Sequence, residues 1–483
     1  MTAPQTLAAS PPVWRQRLIF GVIGASVLMT NVDLWVVNVA LASIGENLSG
    51  SSLAGLSWIV TAYAMTLAAF LIIAGRMGDR SGHRQIFLIG TAVFTLASLG
   101  CAIAPNLWFM IGMRILQAIG AAMQLPASLA LLMASVSVDR RHSAARLWSS
   151  IGAIAAASGP VVGGLLIDFS WRWIFLINVP IGVAVIVLGL WAIPKTLAHS
   201  REALPDLVGS VLLALSIAAV TGGIVQGPEW GWTSPAVLGL LLVAVAAVAW
   251  FLRRCATQPV PLFELSIWRV RAFSIANISV FLFSISFAMQ LLANVLWCQG
   301  VSQYSALRTG LAMAPGPALV PIVAIASNRA VRRFGAGPVI ALGAVLFALG
   351  QLWRVFLAGV EPDYLRDFLP SMLLSGVGVG LAFSTLIASG STALPGSRAG
   401  TGAAVLNTGR QIASVIGVAV LVALLGNSGI GEESLGSFDV AWVIAAILVL
   451  LSAGVSLYLP REVVHSAMTS PKGTRISSVA TGD

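Results

Sequence analysis

The chain has 483 residues, with 27 Lys or Arg against 17 Asp or Glu and a formal net charge of +10. Hydrophobic residues make up 58% and charged residues 9%, whereas a soluble domain carries about 25% charged residues, so a water-soluble fold is excluded. The basic excess does not indicate nucleic-acid binding either, because the charges are scattered between long uncharged runs and form no basic face.

A membrane-crossing helix takes about 20 apolar residues. The chain divides into fourteen such spans: 18–41, 54–74, 85–104, 107–134, 146–167, 173–193, 207–226, 236–252, 273–297, 309–327, 337–356, 368–392, 401–426 and 440–459. Lys and Arg concentrate in the tails and in alternate loops, while the other loops and helix ends hold only Arg172, Arg308, Arg354 and Arg366. By the positive-inside rule both termini are cytoplasmic and the chain lies in the plasma membrane. The first apolar run is too long for a cleavable signal peptide and contains Asp33.

In span 1, Ser26, Thr30 and Asp33 recur at helical spacing as one polar stripe. An ionisable group at that depth is costly unless it faces a cavity or a partner. Span 4 carries a second stripe, Arg114, Gln117, Ala121, Gln124 and Ser128. Helical rise puts Asp33 about 22 Å into a core of about 30 Å. Arg114 lies about 10 Å from the opposite end of span 4, so the two fall at matching depth. Two readings stand: a proton-coupling carboxylate whose charge Arg114 balances, or a static ion pair that ties spans 1 and 4. In the first reading a cationic substrate competes with the proton for Asp33. Trp35 and Trp58 are candidates to line the cavity. Trp14, Trp108, Trp171, Trp173, Trp230, Trp232 and Trp297 read mostly as interfacial anchors.

Between spans 2 and 3 lie Gly75, Asp79, Arg80, Gly82 and Arg84, too shallow to hold substrate. They read as a latch in which Asp79 pairs with arginines when the cavity faces outward, or as a solvated basic loop that serves topology alone. In span 5, Gly152, Gly159, Pro160, Gly163 and Gly164 combine a small-residue face with a missing backbone donor. A hinge and seal, or ordinary close packing, both fit. The Gly376-Val-Gly378-Val-Gly380 run lies in an apolar span, where helix packing is expected and a phosphate loop is not. Asn407, Arg410, Ser414 and Gly417 share a face of span 13. Arg410 there either lines the cavity and favours anionic or polar groups, or bonds backbone carbonyls.

Residues 76–94 repeat weakly at 329–347: Arg76, Arg80, Gly82, Gly90 and Phe94 match Arg329, Arg333, Gly335, Gly343 and Phe347. Related halves around a central cavity are the usual build of a secondary transporter. The expected division is 1–195, a first six-helix bundle; 196–271, two additional spans with linkers; 272–460, a second six-helix bundle; and 461–483, a tail. No nucleotide loop, catalytic triad or metal-ligand cluster is legible, so neither an enzyme nor a bound cofactor is expected.

Five motifs then carry a resemblance. Gly75-Arg-Met-Gly-Asp79-Arg80-Ser-Gly82-His-Arg84 resembles the loop signature of the major facilitator superfamily, and Arg114-Ile-Leu-Gln117-Ala-Ile-Gly120 its fourth-span motif. Ser158-Gly159-Pro160-Val-Val-Gly163-Gly164 is similar to the fifth-span motif of antiporters. Asn31-Val-Asp33 through Asn38 and Leu41, and Trp171-Arg172-Trp173 through Asn178 and Pro180, resemble motifs of the fourteen-span drug:proton antiporters. Departures are Trp35 for threonine, Ala42 for proline, Ala118 for glycine and His83 for arginine. The resemblance implies an all-α membrane fold of two six-helix bundles plus two central helices. It also implies proton-coupled export of amphipathic small molecules by alternating access, with Asp33 as the coupling acid. The expected partners are substrate, protons and the lipid bilayer, with no nucleic acid and a monomeric chain. A dedicated exporter of one metabolite or natural product, a proton symporter, and a non-transporting receptor or scaffold are the alternatives.

Overall fold

The computed structural model describes residues 12–48, 52–137, 141–194, 206–259, 261–262, 264–357, 363–394, 399–426 and 435–460. The predicted tail 461–483 and linker residues 195–205 lie outside them. Among the described residues there is no strand. The first group of helices is α1 (Val13–Asn47), α2 (Leu53–Ser81), α3 (His83–Ala102), α4 (Leu107–Ser135), α5 (Arg141–Ile167), α6 (Trp173–Leu176) and α7 (Asn178–Ala192). Next come α8 (Leu207–Trp230) and α9 (Pro235–Thr257). The last group is α10 (Arg271–Leu296), α11 (Ala306–Met313), α12 (Pro315–Phe334), α13 (Ala336–Leu357), α14 (Leu369–Thr392), α15 (Ala399–Leu425) and α16 (Leu435–Ser456). Thirteen helices among the described residues are long and apolar enough to cross a membrane, with α6–α7 and α11–α12 each counting once. The expected count was fourteen. The remaining span, 146–167, falls within α5, a helix of 27 residues whose described apolar stretch is Ser158–Ile167.

Polar residues set the helix starts. Ser52, Asn106, Asp206, Ser234 and Ser305 each cap a helix by accepting a backbone N–H from its first turn. Asp206 also accepts from Arg254 at 2.7 Å, which ties the start of α8 to the end of α9. That guanidinium, with help from the Gly209 N–H, holds the Asp206 carboxyl below the usual carboxylate range. The sequence repeat has a structural counterpart. Gly82 and Gly335 end α2 and α12 at φ 93° and 87°, a conformation open to glycine. Gly90 meets Gly120 where α3 crosses α4, and Gly343 meets Gly378 where α13 crosses α14. The Gly376–Gly380 run is thus a packing face, with Gly376 against Gly316 and Gly380 against Val323.

Let the near end of the bundle be where α1 begins, and the far end where it finishes. The first group of helices has its own near-end core around Ile19, Val22, Phe87, Leu131 and Ile193. The last group has another around Val280, Ile340, Phe347, Leu386 and Val449. At the far end one continuous core joins both groups, from Val36–Ile44 and Phe175 to Leu292–Cys298, Phe368 and Trp442. A further cluster packs α2 and α15 on α8 and α9. The halves therefore share one core at the far end, meet again where α2 packs on α15, and have separate cores at the near end. There Leu28 on α1 and Ile154 on α5 are 37% and 59% exposed, beside an apolar groove of about 240 Å³ between those two helices. Trp171 and Trp297 correct an expectation: each is only 2% exposed and belongs to the far-end core, not to an interfacial belt.

Candidate functional site

Helices α4 and α7 supply the groups bonded to Asp33, and α2 and α3 brace those groups from behind. Pro180 has no N–H and crowds the carbonyl four residues back, and the chain breaks there between α6 and α7 at Ile177. The break turns Asn178 inward, where it is 2% exposed. The Asp33 side chain is fully buried in the fold, and the Arg114 side chain is 1% exposed. Arg114 Nη1 donates to Asp33 Oδ2 at 2.6 Å and to Gln117 Oε1 at 2.7 Å. Gln117 Nε2 and Asn178 Nδ2 donate to Asp33 Oδ1 at 2.9 and 3.1 Å. Both also reach Ser98 Oγ, at 3.2 and 2.9 Å, and that hydroxyl donates to the Phe175 carbonyl at 3.0 Å. Arg114 Nε donates to the Ile59 carbonyl of α2 at 3.2 Å, and its guanidinium lies 4.1 Å from the Tyr63 ring centroid. A buried ion pair is tolerable only when its remaining hydrogen-bonding capacity is satisfied, and the amides around Asp33 supply that. One donor beside the pair is unused: the buried Tyr63 hydroxyl has no partner.

One and two turns towards the near end, Gln124 of α4 accepts from Thr30 and donates to Thr91 Oγ1 at 3.1 Å. The stripes predicted on spans 1 and 4 therefore face each other as one polar seam. Gln117 and Gln124 lie inside this seam, between helices.

Trp35 lies two residues beyond Asp33 on another face of α1. Its ring meets Phe287 of α10 edge to face at 6.0 Å, and Phe287 stacks on Phe383 of α14 at 6.0 Å. Behind Trp35, Gly159 of α5 has no room for a Cβ, and Gly163 packs on Val36. Gly164 abuts the backbone at Leu307, and Gly310 abuts the carbonyl of Pro160. The span-5 glycines thus make close contacts on α1 and, across the far end, on α11. Gly152, lower on α5, faces Asn31 more loosely. Arg410 of α15 lies 5.9 Å from the Phe383 ring centroid; its Nε is buried with no hydrogen-bond partner. Asn407, one turn earlier, is half-buried. Trp58 packs on α8 at Gly222.

At the near-end loop, Asp79 pairs with His83 at 3.2 Å and its side chain is 55% exposed. Arg84 donates to the Leu190 carbonyl at 2.6 Å, Arg80 is exposed, and Gly75 and Gly82 sit on either side of the loop's helical turn.

Sequence reasoning missed Ser98, Tyr63 and Arg354, and gave Asn178 no role. Asn178 precedes Pro180 by two residues, which marks a break able to turn its amide inward. The charge pattern puts Arg354 among the loops and helix ends of one side. It is 1% exposed, bonds Asn294 and Ser371, and lies 4.2 Å from the Phe368 ring centroid. Gln351 one turn earlier, also buried, was the available signal that this face turns inward.

Comparisons with known proteins extend the geometry. Residues 23–418 match the sequence model of the Major Facilitator Superfamily. The chain is 31% identical to the Multidrug resistance protein Stp of Mycobacterium tuberculosis, over 85% of this chain and 76% of that one. It is 31% identical to a Methylenomycin A resistance protein of Streptomyces coelicolor, over 92% of each. With the Tetracenomycin C resistance and export protein of Streptomyces glaucescens it shares 30%, over 83% of this chain and 74% of that one. Among solved structures, a POT family transporter in complex with 5-aminolevulinic acid superposes with a TM-score of 0.66 at 14% identity. That match covers 89% of this chain and 94% of the other, a likeness of fold.

Proposed function

The chain belongs to the Major Facilitator Superfamily, and on that premise we propose that it exports amphipathic small molecules, drugs among them, in exchange for protons. Relatives named for multidrug resistance and for antibiotic resistance and export support the cargo class. The observation that carries the coupling is the cage on Asp33. A carboxylate held by Arg114, Gln117 and Asn178 in a fully buried site exchanges its proton only when α1, α4 and the α6–α7 break shift apart. A two-state rearrangement of the halves supplies that shift. On this reading the near end is cytoplasmic, both termini lie there, and the protein is a monomer in the plasma membrane. The structure then corresponds to the inward-facing state. Residues 1–195 and 272–460 act as the two moving bundles, with 196–271 inserted between them.

Asp33 takes a proton when the site opens outward, Arg114 is released to its other partners, and the cycle returns once the proton leaves inward. A substrate does not need to touch Asp33; it needs only to favour one state of the halves. The glycines of α5 form the sliding contact, and Gly159-Pro160 the hinge. Asp79 is the latch: bonded to His83 in this state, it pairs with arginine of the opposite half when the near end closes. The resistance proteins named for single antibiotics favour one second reading, a dedicated exporter of one natural product.

Everted membrane vesicles with an acid interior test the export claim. Wild type is expected to accumulate members of a panel of lipophilic drugs inside, in a gradient-dependent manner, and Asp33→Asn to lose at least tenfold of that accumulation. The same variant should still exchange labelled drug for unlabelled drug without a gradient, which separates loss of coupling from loss of fold. Gradient-driven accumulation by Asp33→Asn at the wild-type rate would refute the role of Asp33.

A further inference from the structure

Charge within the spans is distributed unevenly. In the first half the buried acid and the buried base cancel, Asp33 against Arg114. In the second half Arg354 and Arg410 lie within helices, and among the described residues neither forms an ion pair. Arg354 is enclosed at the far end by Asn294, Ser371 and Phe368. Arg410 differs. It is half-buried near the middle of α15, two turns from Gly417, which packs on Ile285 of α10. Its face of α15 therefore looks towards α10 and the aromatic row, away from lipid. No hydrogen bond to its guanidinium is formed by any described group, and Nε is left without an acceptor. An uncompensated cation in a span is expensive unless something pairs with it or water reaches it.

The surroundings supply the rest of a recognition surface. Phe383, Phe287 and Trp35 form a row of rings from α14 through α10 to α1, spanning both halves where the shared far-end core gives way to separate near-end cores. The only acid deep in a described span is fully buried and already paired, so it offers nothing to a cationic ligand in this state. We propose that Arg410 and this aromatic row form the substrate subsite, and that it takes amphipathic organic anions. A carboxylate or phenolate would pair with the guanidinium, and a flat apolar body would lie on Phe383, Phe287 and Trp35. The proposal rests on the export reading for its biological sense and reverses the sequence-level expectation that Asp33 draws cations. Because the row bridges the halves, a ligand seated there reports its presence to both.

Binding to the purified protein tests this independently of transport. The probes are pyrenebutyrate, its neutral amide and a pyrene trimethylammonium analogue, followed by fluorescence anisotropy in detergent. Wild type is expected to bind the carboxylate at least tenfold more tightly than either analogue. Arg410→Gln should erase that ratio while leaving amide binding within about twofold, and Arg410→Lys, which keeps the charge, should retain part of it. Phe383→Ala should weaken all three probes together. Equal affinities in wild type, a preference for the cation, or an unchanged ratio in both Arg410 variants would overturn the proposal. Selective carboxylate binding without gradient-driven uptake in vesicles would leave the subsite standing and count against the export reading.

Discussion

At the scale of single residues, the coupling role proposed for Asp33 has a counterpart in stability, because Arg114 balances its buried charge. Removing one member of a buried pair leaves an uncompensated charge and costs about 3–5 kcal/mol, while removing both is close to neutral when the space is refilled. Asp33→Asn should therefore lower the thermal stability of the purified protein markedly, and Asp33→Asn with Arg114→Gln should recover most of the loss. Thermal unfolding of the two variants beside wild type measures this; equal losses would mean that the charge left on Arg114 carries no penalty of its own. Asp33 and Arg114 were legible because each is a lone charge in a long apolar run and helical rise puts both at one depth. Ser98 and Tyr63 were not, because a serine or tyrosine in a span carries no charge penalty to give it away. Arg354 was misplaced because a cation near a span's end reads as a snorkelling residue. Only the fold shows it enclosed between Asn294, Ser371 and the aromatic rings.

Among elements, the glycine crossings define the architecture. A Cβ at Gly90 would fall 2.8 Å from the Gly120 carbonyl, and one at Gly343 would fall 2.8 Å from that of Gly378. Each is backbone and cannot swing away, so Gly90→Ala and Gly343→Ala should each destabilise the protein by about 1–3 kcal/mol. Denaturant or thermal unfolding should show losses of similar size for the two, since the sites are counterparts in the repeat. A neutral result at one site would mean that its helix pair separates freely. The spacing of apolar residues was enough to find nearly every helix, because a span must satisfy its own backbone and announces itself by length. Which helix packs on which was legible only at the repeat. The breaks at Ile177 and Ala314 go with Pro180 and Pro315, but the consequence of the first, the Asn178 amide delivered to Asp33, depends on packing that no periodicity records.

For the whole molecule, the proposed cycle takes the sealed far end and the separate near-end cores as one member of a two-state pair. The contacts of Gly164 on Leu307 and of Gly310 on Pro160 must part in the other. On the proposed reading substrate and proton are coupled through the halves and not through contact with each other, and such coupling is reciprocal. If a proton gradient drives substrate, a substrate gradient must drive protons. Sealed everted vesicles preloaded with an exported drug, at equal pH inside and outside and diluted into drug-free buffer, test this directly. The record is the internal pH from a trapped dye. Wild type is predicted to acidify the interior as drug leaves, and Asp33→Asn to release the drug without any pH change. Drug efflux without acidification in wild type, or equal acidification in Asp33→Asn, would contradict the assignment of Asp33 as the proton carrier.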